Sequence, residues 1–282
     1  MPALVILTAY SVKKAGLMKE EHAGALINYV VYFALPALTL KEVSNIHIDI
    51  TALGTVAIAW GSILSSLLIG YSVGSLLKLE DKTLKSFVLV SSFGNTAFLG
   101  YPFAFSLFGA EGLKYAVLYD QLGSFIAVIT LGFTIATGKP SFRTVATFPP
   151  LIALLVGLLL RGTTMPEPVN TTLETAGMSL IPTVLFALGL KLSVRDIMDS
   201  VKLSSLALII KMVVVPISLS ILLNQLSLSD LPYRVALLET AMPPMVMSGV
   251  LAIQYGLDTK LAVSSITLGI ILSFITVPLL LR

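Results

Sequence analysis

Three ionisable side chains fall well inside long apolar stretches: Asp120 in Leu113–Ala136, Lys211 in Leu203–Leu223 and Glu239 in Val235–Ile253. A charge at membrane depth is costly and is read as functional by default, as a binder of ions, protons or charged substrates. Glu239 stands about one helical turn before a Pro-Pro pair. Its carboxylate suits a coupling Na+ shared with Asn95, or a carried proton. Asp120, next to Gln121, lies about two turns into its stretch and reads either as a charge of the site or as a vestibule residue partly in water. Lys211 enters its stretch to a depth of roughly 12 Å. It neutralises Glu239 or a substrate carboxylate, or snorkels its ammonium to the interface.

Two polar interruptions accompany these charges. One reads Gly94-Asn95-Thr96-Ala97-Phe98-Leu99-Gly100-Tyr101-Pro102, the other Glu239-Thr240-Ala241-Met242-Pro243-Pro244-Met245. Gly100 and Pro102 weaken the helical ladder, while Asn95 and Thr96 bring an amide and a hydroxyl to the same depth. Pro243 and Pro244 remove two backbone donors and push the preceding residue out of α geometry. Broken backbone inside a membrane survives only when buried in protein or lining a wet cavity. Two such breaks that cross would each aim the positive end of a half-helix at the crossing, which makes an anion site from backbone. The candidate substrate-binding residues are therefore Asn95, Thr96, Gly100, Pro102, Pro243, Pro244 and Met245. The single prolines Pro36, Pro182, Pro216 and Pro278 read as kinks, and Met242 and Met247 as gap-filling apolar groups.

The elements that must position these residues are membrane helices. Apolar residues make up 56% of the 282 and charged residues 12%, about half the charge a soluble domain carries. Mean hydropathy is +0.96. Besides the three stretches above, six runs carry no charge: Ala23–Leu40, Ile50–Leu77, Ser86–Ala110, Thr144–Leu160, Thr175–Leu190 and Leu261–Leu281. Met1–Val12 adds a tenth apolar piece, about 18 Å long and short for a bilayer of about 30 Å. It reads as a first helix, since no basic region precedes it and no small-residue cleavage site follows. An all-α polytopic protein of about ten spans is expected, as a single membrane domain over residues 1–282. Twelve Lys and Arg fall on the side of the connectors that follow odd-numbered spans, and five on the other. The positive-inside bias then sets both termini outside.

The connector after span 4 reads Gly109-Ala110-Glu111-Gly112-Leu113-Lys114-Tyr115-Ala116-Val117, and that after span 9 reads Gly256-Leu257-Asp258-Thr259-Lys260-Leu261-Ala262-Val263. A glycine, an acid two residues on, then Lys-x-Ala-Val recur half a chain apart. Five helices per half, 1–138 and 139–282, would place the second half upside down. Inverted repeats with paired interrupted helices mark transporters whose substrate site lies near the midplane.

The strings GNTAFLGYP, FGAEGLKYAVLYD, NYVVYFALPAL and TAMPPMVMSGVLAIQYGLD resemble the auxin efflux carrier family of plant PIN-type carriers and prokaryotic permeases. The resemblance runs from about Lys13 to the C-terminus. It implies a five-plus-five inverted repeat with a scaffold and a mobile transport domain, working as an elevator-type secondary transporter of organic anions, typically carboxylates. It also implies crossover positions at Asn95, Pro102 and Pro243, and allows a homodimer. The Glu239-Thr240 pair is similar to the related bile acid:sodium symporters, which points toward sodium. Two departures are a short first helix and a connector of only about ten residues between spans 5 and 6, which favours a prokaryotic permease.

Other classes find little support. Cys is absent and the two histidines, His22 and His47, lie in connectors, so disulfides, thiolate chemistry and a His–Glu metal cluster have no residues to use. No Gly-x-Ser-Gly, Gly-x-Gly-Asp or aspartate-rich motif suggests an intramembrane enzyme. The net charge of +3 reflects basic loops rather than nucleic-acid binding. The expected partners are a small organic anion and membrane lipid, with no cofactor beyond a possible coupling Na+, in the cell membrane. A channel of the same architecture is the alternative, since a pore also uses polar interrupted helices.

Overall fold

The computed structural model describes residues 2–44, 52–138, 146–147, 149–192 and 194–280. His47, Lys139, Arg143 and Arg282 lie outside the described residues, as do the first residues of the expected spans Ile50–Leu77 and Thr144–Leu160.

Lipid offers backbone groups no partners, so a spanning chain satisfies them within helices. In chain order the helices are α1 (Pro2–Lys14), α2 (His22–Tyr29), α3 (Leu35–Ser44), α4 (Ala52–Leu76), α5 (Asp81–Ser92), α6 (Tyr101–Tyr119) and α7 (Phe133–Thr137). The second half adds α8 (Pro149–Leu159), α9 (Glu167–Met178), α10 (Leu180–Lys191), α11 (Val194–Ile209), α12 (Val215–Gln225), α13 (Leu231–Thr240), α14 (Val246–Gln254) and α15 (Thr259–Leu280).

Six continuous helical stretches among the described residues are long and apolar enough to cross a membrane: His22–Lys41, Leu53–Leu76, Glu111–Thr137, Glu167–Lys191, Ile197–Gln225 and Thr259–Leu280. The other expected spans are short or broken. Helix α1 has 13 residues, and Thr96–Gly109 and Pro149–Leu159 are apolar but short. At Gly109 the chain turns with φ +68°, a left-handed conformation that glycine adopts freely, and this ends the second half of span 4.

Three of the prolines share one device. Turns of π-helix at Val30–Ala34, Thr96–Gly100 and Ile210–Val214 each end two residues before Pro36, Pro102 and Pro216. A proline cannot donate to the carbonyl four residues back, and its ring crowds that carbonyl. The wider turn absorbs the mismatch, so the helix continues. Pro102 therefore does not break span 4. The interruption lies earlier, at Phe93–Asn95, where Phe93 is extended (φ −95°, ψ 124°) and Asn95 leaves helical geometry (φ −80°, ψ 63°).

The chain forms two compact units, each drawing on both halves of the sequence: Met1–His47 with Thr137–Leu192, and Ile48–Ala136 with Ser193–Arg282. In the first, α1 packs on α10 and α3 on α8 and α9. Gly189 lets α10 approach α1 so closely that a Cβ would lie 2.6 Å from Ala9 Cβ, the small-residue packing that membrane helices rely on in place of a hydrophobic driving force. Lys13 Nζ donates to the Leu192 carbonyl at 2.5 Å and pairs with Glu20 at 3.0 Å. In the second unit, α4, α5 and α6 pack with α11 to α15, and every residue of both interruptions belongs to it.

Candidate functional site

Helix α13 ends at Thr240 because Pro243 and Pro244 have no N–H with which to continue it. The chain runs extended to Met245 (φ −64°, ψ 136°) and restarts as α14. The two interruptions meet in an antiparallel bridge between Gly94 and Pro244. Asn95 N donates to the Pro243 carbonyl at 2.7 Å, and Met245 N donates to the Phe93 carbonyl at 2.8 Å. Each break thus supplies the partners that the other has lost. Behind the bridge, α15 presses Gly269 against both prolines: a Cβ there would lie 2.7 Å from Pro244 Cδ and 2.9 Å from Pro243 Cβ.

Buried polar groups crowd this crossing. Asn95 is 3% exposed, and its backbone carbonyl caps the following turn by accepting from Leu99 N and Gly100 N. Its carboxamide makes no hydrogen bond to any other described residue. The Glu239 carboxylate, on the last turn of α13, is fully buried with neither oxygen hydrogen-bonded. It fills the space beside Gly100 where a Cβ would otherwise stand. Gly100 therefore serves the site by its missing side chain rather than by weakening a helix.

Asp120, by contrast, is fully partnered. It accepts from Thr96 Oγ1, from Tyr101 Oη at 2.9 Å and from Gln121 Nε2 at 2.9 Å. At 2% exposed it is no vestibule residue. Three donors hold a carboxylate far better than one, because hydrogen bonds to a charged acceptor are the strong ones. Asp120 thereby ties the turn that follows Asn95 to the Glu111–Thr137 span.

Lys211 does not snorkel, and it pairs directly with no acid among the described residues. It is 3% exposed, and its ammonium donates to the Thr240 carbonyl at 2.5 Å. Gly94 makes room for it, since a Cβ at that position would lie 3.1 Å from Nζ. The contact puts a positive charge on the C-terminal end of α13, where the helix dipole is negative.

A second set of groups was not apparent from spacing. Tyr119 Oη is bonded to Ser62 Oγ at 2.8 Å and to Thr240 Oγ1 at 3.0 Å, and Trp60 Nε1 donates to the Leu122 carbonyl at 3.1 Å. The consecutive Tyr119-Asp120-Gln121 in an apolar span is the signal that singles out this stretch. Met245 enters the site through its backbone N–H and Pro243 through its carbonyl. Among the described residues no group of three or more His, Asp or Glu gathers to hold a metal ion.

This chain is similar to proteins of known family. The membrane transport protein family matches residues 3–145 and again 138–281. The uncharacterized transporter MJ1031 of Methanocaldococcus jannaschii is 32% identical over 98% of this chain and 94% of its own length. An uncharacterized transporter of Methanothermobacter thermautotrophicus is 27% identical over the same shares. With both halves of the chain matched, this protein belongs to the membrane transport family of the PIN and auxin-efflux-carrier type, and is a multi-pass membrane protein.

Proposed function

We propose that the protein is an elevator-type secondary active transporter that moves a small organic anion, a carboxylate, across the cell membrane with H+ or Na+ as coupling ion. In this reading the chain makes ten spans as a five-plus-five inverted repeat with both termini outside. The unit holding the crossing is the transport domain, and Met1–His47 with Thr137–Leu192 is the scaffold through which a homodimer would form. Catalysis has no part in it.

The observation that carries the proposal is the paired interruption itself. Phe93–Asn95 and Pro243–Met245 bond to each other, and beside them Asn95 offers a buried amide that no other described residue hydrogen-bonds. The first turns of the two second half-helices, at Thr96 and Val246, leave N–H groups without intrahelical partners. Those groups favour an anion. Asn95 would hydrogen-bond the substrate, the half-helix N-termini would hold its carboxylate, and Glu239 would handle the coupling ion.

The test is radiolabelled counterflow in proteoliposomes with malonate, malate, succinate, lactate and indole-3-acetate, each with and without Na+ and a pH gradient. Saturable exchange of one of these is the expected result. Flux without exchange acceleration would instead identify a channel.

A further inference from the structure

Half-helix C-termini and unwound carbonyls are where transporters with broken helices coordinate their coupling cation. In this protein that position is taken. The carbonyl at the end of α13, Thr240, accepts from Lys211 Nζ at 2.5 Å, and the ammonium packs against Gly94 on the opposing interruption. Lys211 lies on the π-helical turn Ile210–Val214, and its side chain reaches the end of α13. A metal ion at the same carbonyl would meet this ammonium at hydrogen-bond distance, and two cations so close repel strongly in a medium with little water. The residues present therefore do not fit Na+ at this point.

We infer that Lys211 is a tethered cation, standing at the crossing in the position a coupling Na+ would take, so that the protein binds and requires no Na+. This rests on the transporter reading and decides between its two coupling ions. The polar groups buried around the crossing agree with it. Asp120 on the Glu111–Thr137 span keeps three hydrogen-bond donors of its own. Glu239 on α13 has none, and Tyr119 reaches Thr240 through its hydroxyl. One tethered ammonium thus stands at the helix end that carries Glu239, whose carboxylate has no hydrogen bond of its own. A lysine is tethered to the chain, whereas Na+ would come and go with each cycle.

The experiment is equilibrium binding of 22Na+ to the full-length purified protein, wild type and Lys211→Ala, with choline as the replacement cation. Saturable 22Na+ binding is expected to be absent in wild type and present in Lys211→Ala, displaced by methylammonium, which restores the lost group in solution. Lys211→Gln, which keeps most of the side-chain volume, serves the same comparison if the alanine variant does not fold. Saturable binding to wild type overturns the inference. So does a folded variant that binds neither 22Na+ nor methylammonium. Counterflow of the carboxylate panel in the same preparation tests the transport reading separately: no exchange there, with sodium binding as expected, would sink the carboxylate assignment and leave the role of Lys211 intact.

Discussion

The backbone N–H of Asn95 bonds the carbonyl of Pro243 at 2.7 Å, so the residue proposed to meet the substrate is fixed in place by the opposite interruption. Backbone, not side chain, holds Asn95. Its carboxamide is therefore free for a ligand, and its removal costs the fold little.

Asn95→Ala is accordingly expected to abolish counterflow while leaving the thermal unfolding midpoint close to that of wild type. The backbone bond to Pro243 survives the change, and the side chain makes no hydrogen bond with another described residue. Wild-type exchange rates in this variant would remove Asn95 from the site.

Gly100→Ala addresses the contact with Glu239. A Cβ at Gly100 would collide with the buried carboxylate, and such overpacking typically costs about 1–3 kcal/mol. A lowered unfolding midpoint and lost transport are expected. The double variant Gly100→Ala/Glu239→Ala is expected to regain stability without regaining transport, because the collision is relieved and the carboxylate is gone. Residues in contact couple in this way, and residues apart do not. Additive losses would show that the two positions do not touch.

Asp120 carries a graded prediction. Replacing it by Asn turns an acceptor of three hydrogen bonds into a group that must itself donate among donors. Hydrogen bonds to charged groups contribute about 1.5–3 kcal/mol each, so Asp120→Asn is expected to lower stability more than Tyr101→Phe, which removes one donor of the three. Guanidinium or thermal denaturation in detergent would rank them. Equal midpoints would mean that water already serves the carboxylate.

The ease of reading differs between the two interruptions. Pro243-Pro244 is legible from sequence because proline chemistry is local: two missing donors in a row stop a helix whatever surrounds them. The break at Phe93–Asn95 is not. Gly100 and Pro102 carry the stronger local signal, but a π-helical turn lets the helix pass Pro102, as it does at Pro36 and Pro216. Phe93 and Asn95 are held out of helical geometry by partners about 150 residues away in sequence, a tertiary effect that no window of sequence contains. The buried charges were visible as residues, and their partners were not. Asp120 bonds across from Thr96 and Tyr101, and Lys211 finds a carbonyl rather than an acid. Apolar length alone recovers the long spans, but broken and short spans escape any rule that counts continuous residues.

Two glycines separate packing at the crossing from packing against lipid. Gly269 on α15 faces the Pro243-Pro244 rings, and the nearest atoms to an added Cβ are 2.7 and 2.9 Å away. Neither ring can rotate aside, because the prolines are held by the bridge to Gly94 and Asn95. Gly269→Ala is therefore expected to cost about 1–3 kcal/mol and to slow transport by displacing the interruption. Gly61 on α4 is exposed and has nothing within 4 Å of an added Cβ. There the helix preference of alanine over glycine, roughly 1 kcal/mol, acts unopposed, so Gly61→Ala is expected to raise the unfolding midpoint and leave exchange unchanged. Thermal unfolding of both variants with counterflow alongside checks the pair. A Gly269→Ala protein as stable and active as wild type would mean that α15 does not buttress the crossing.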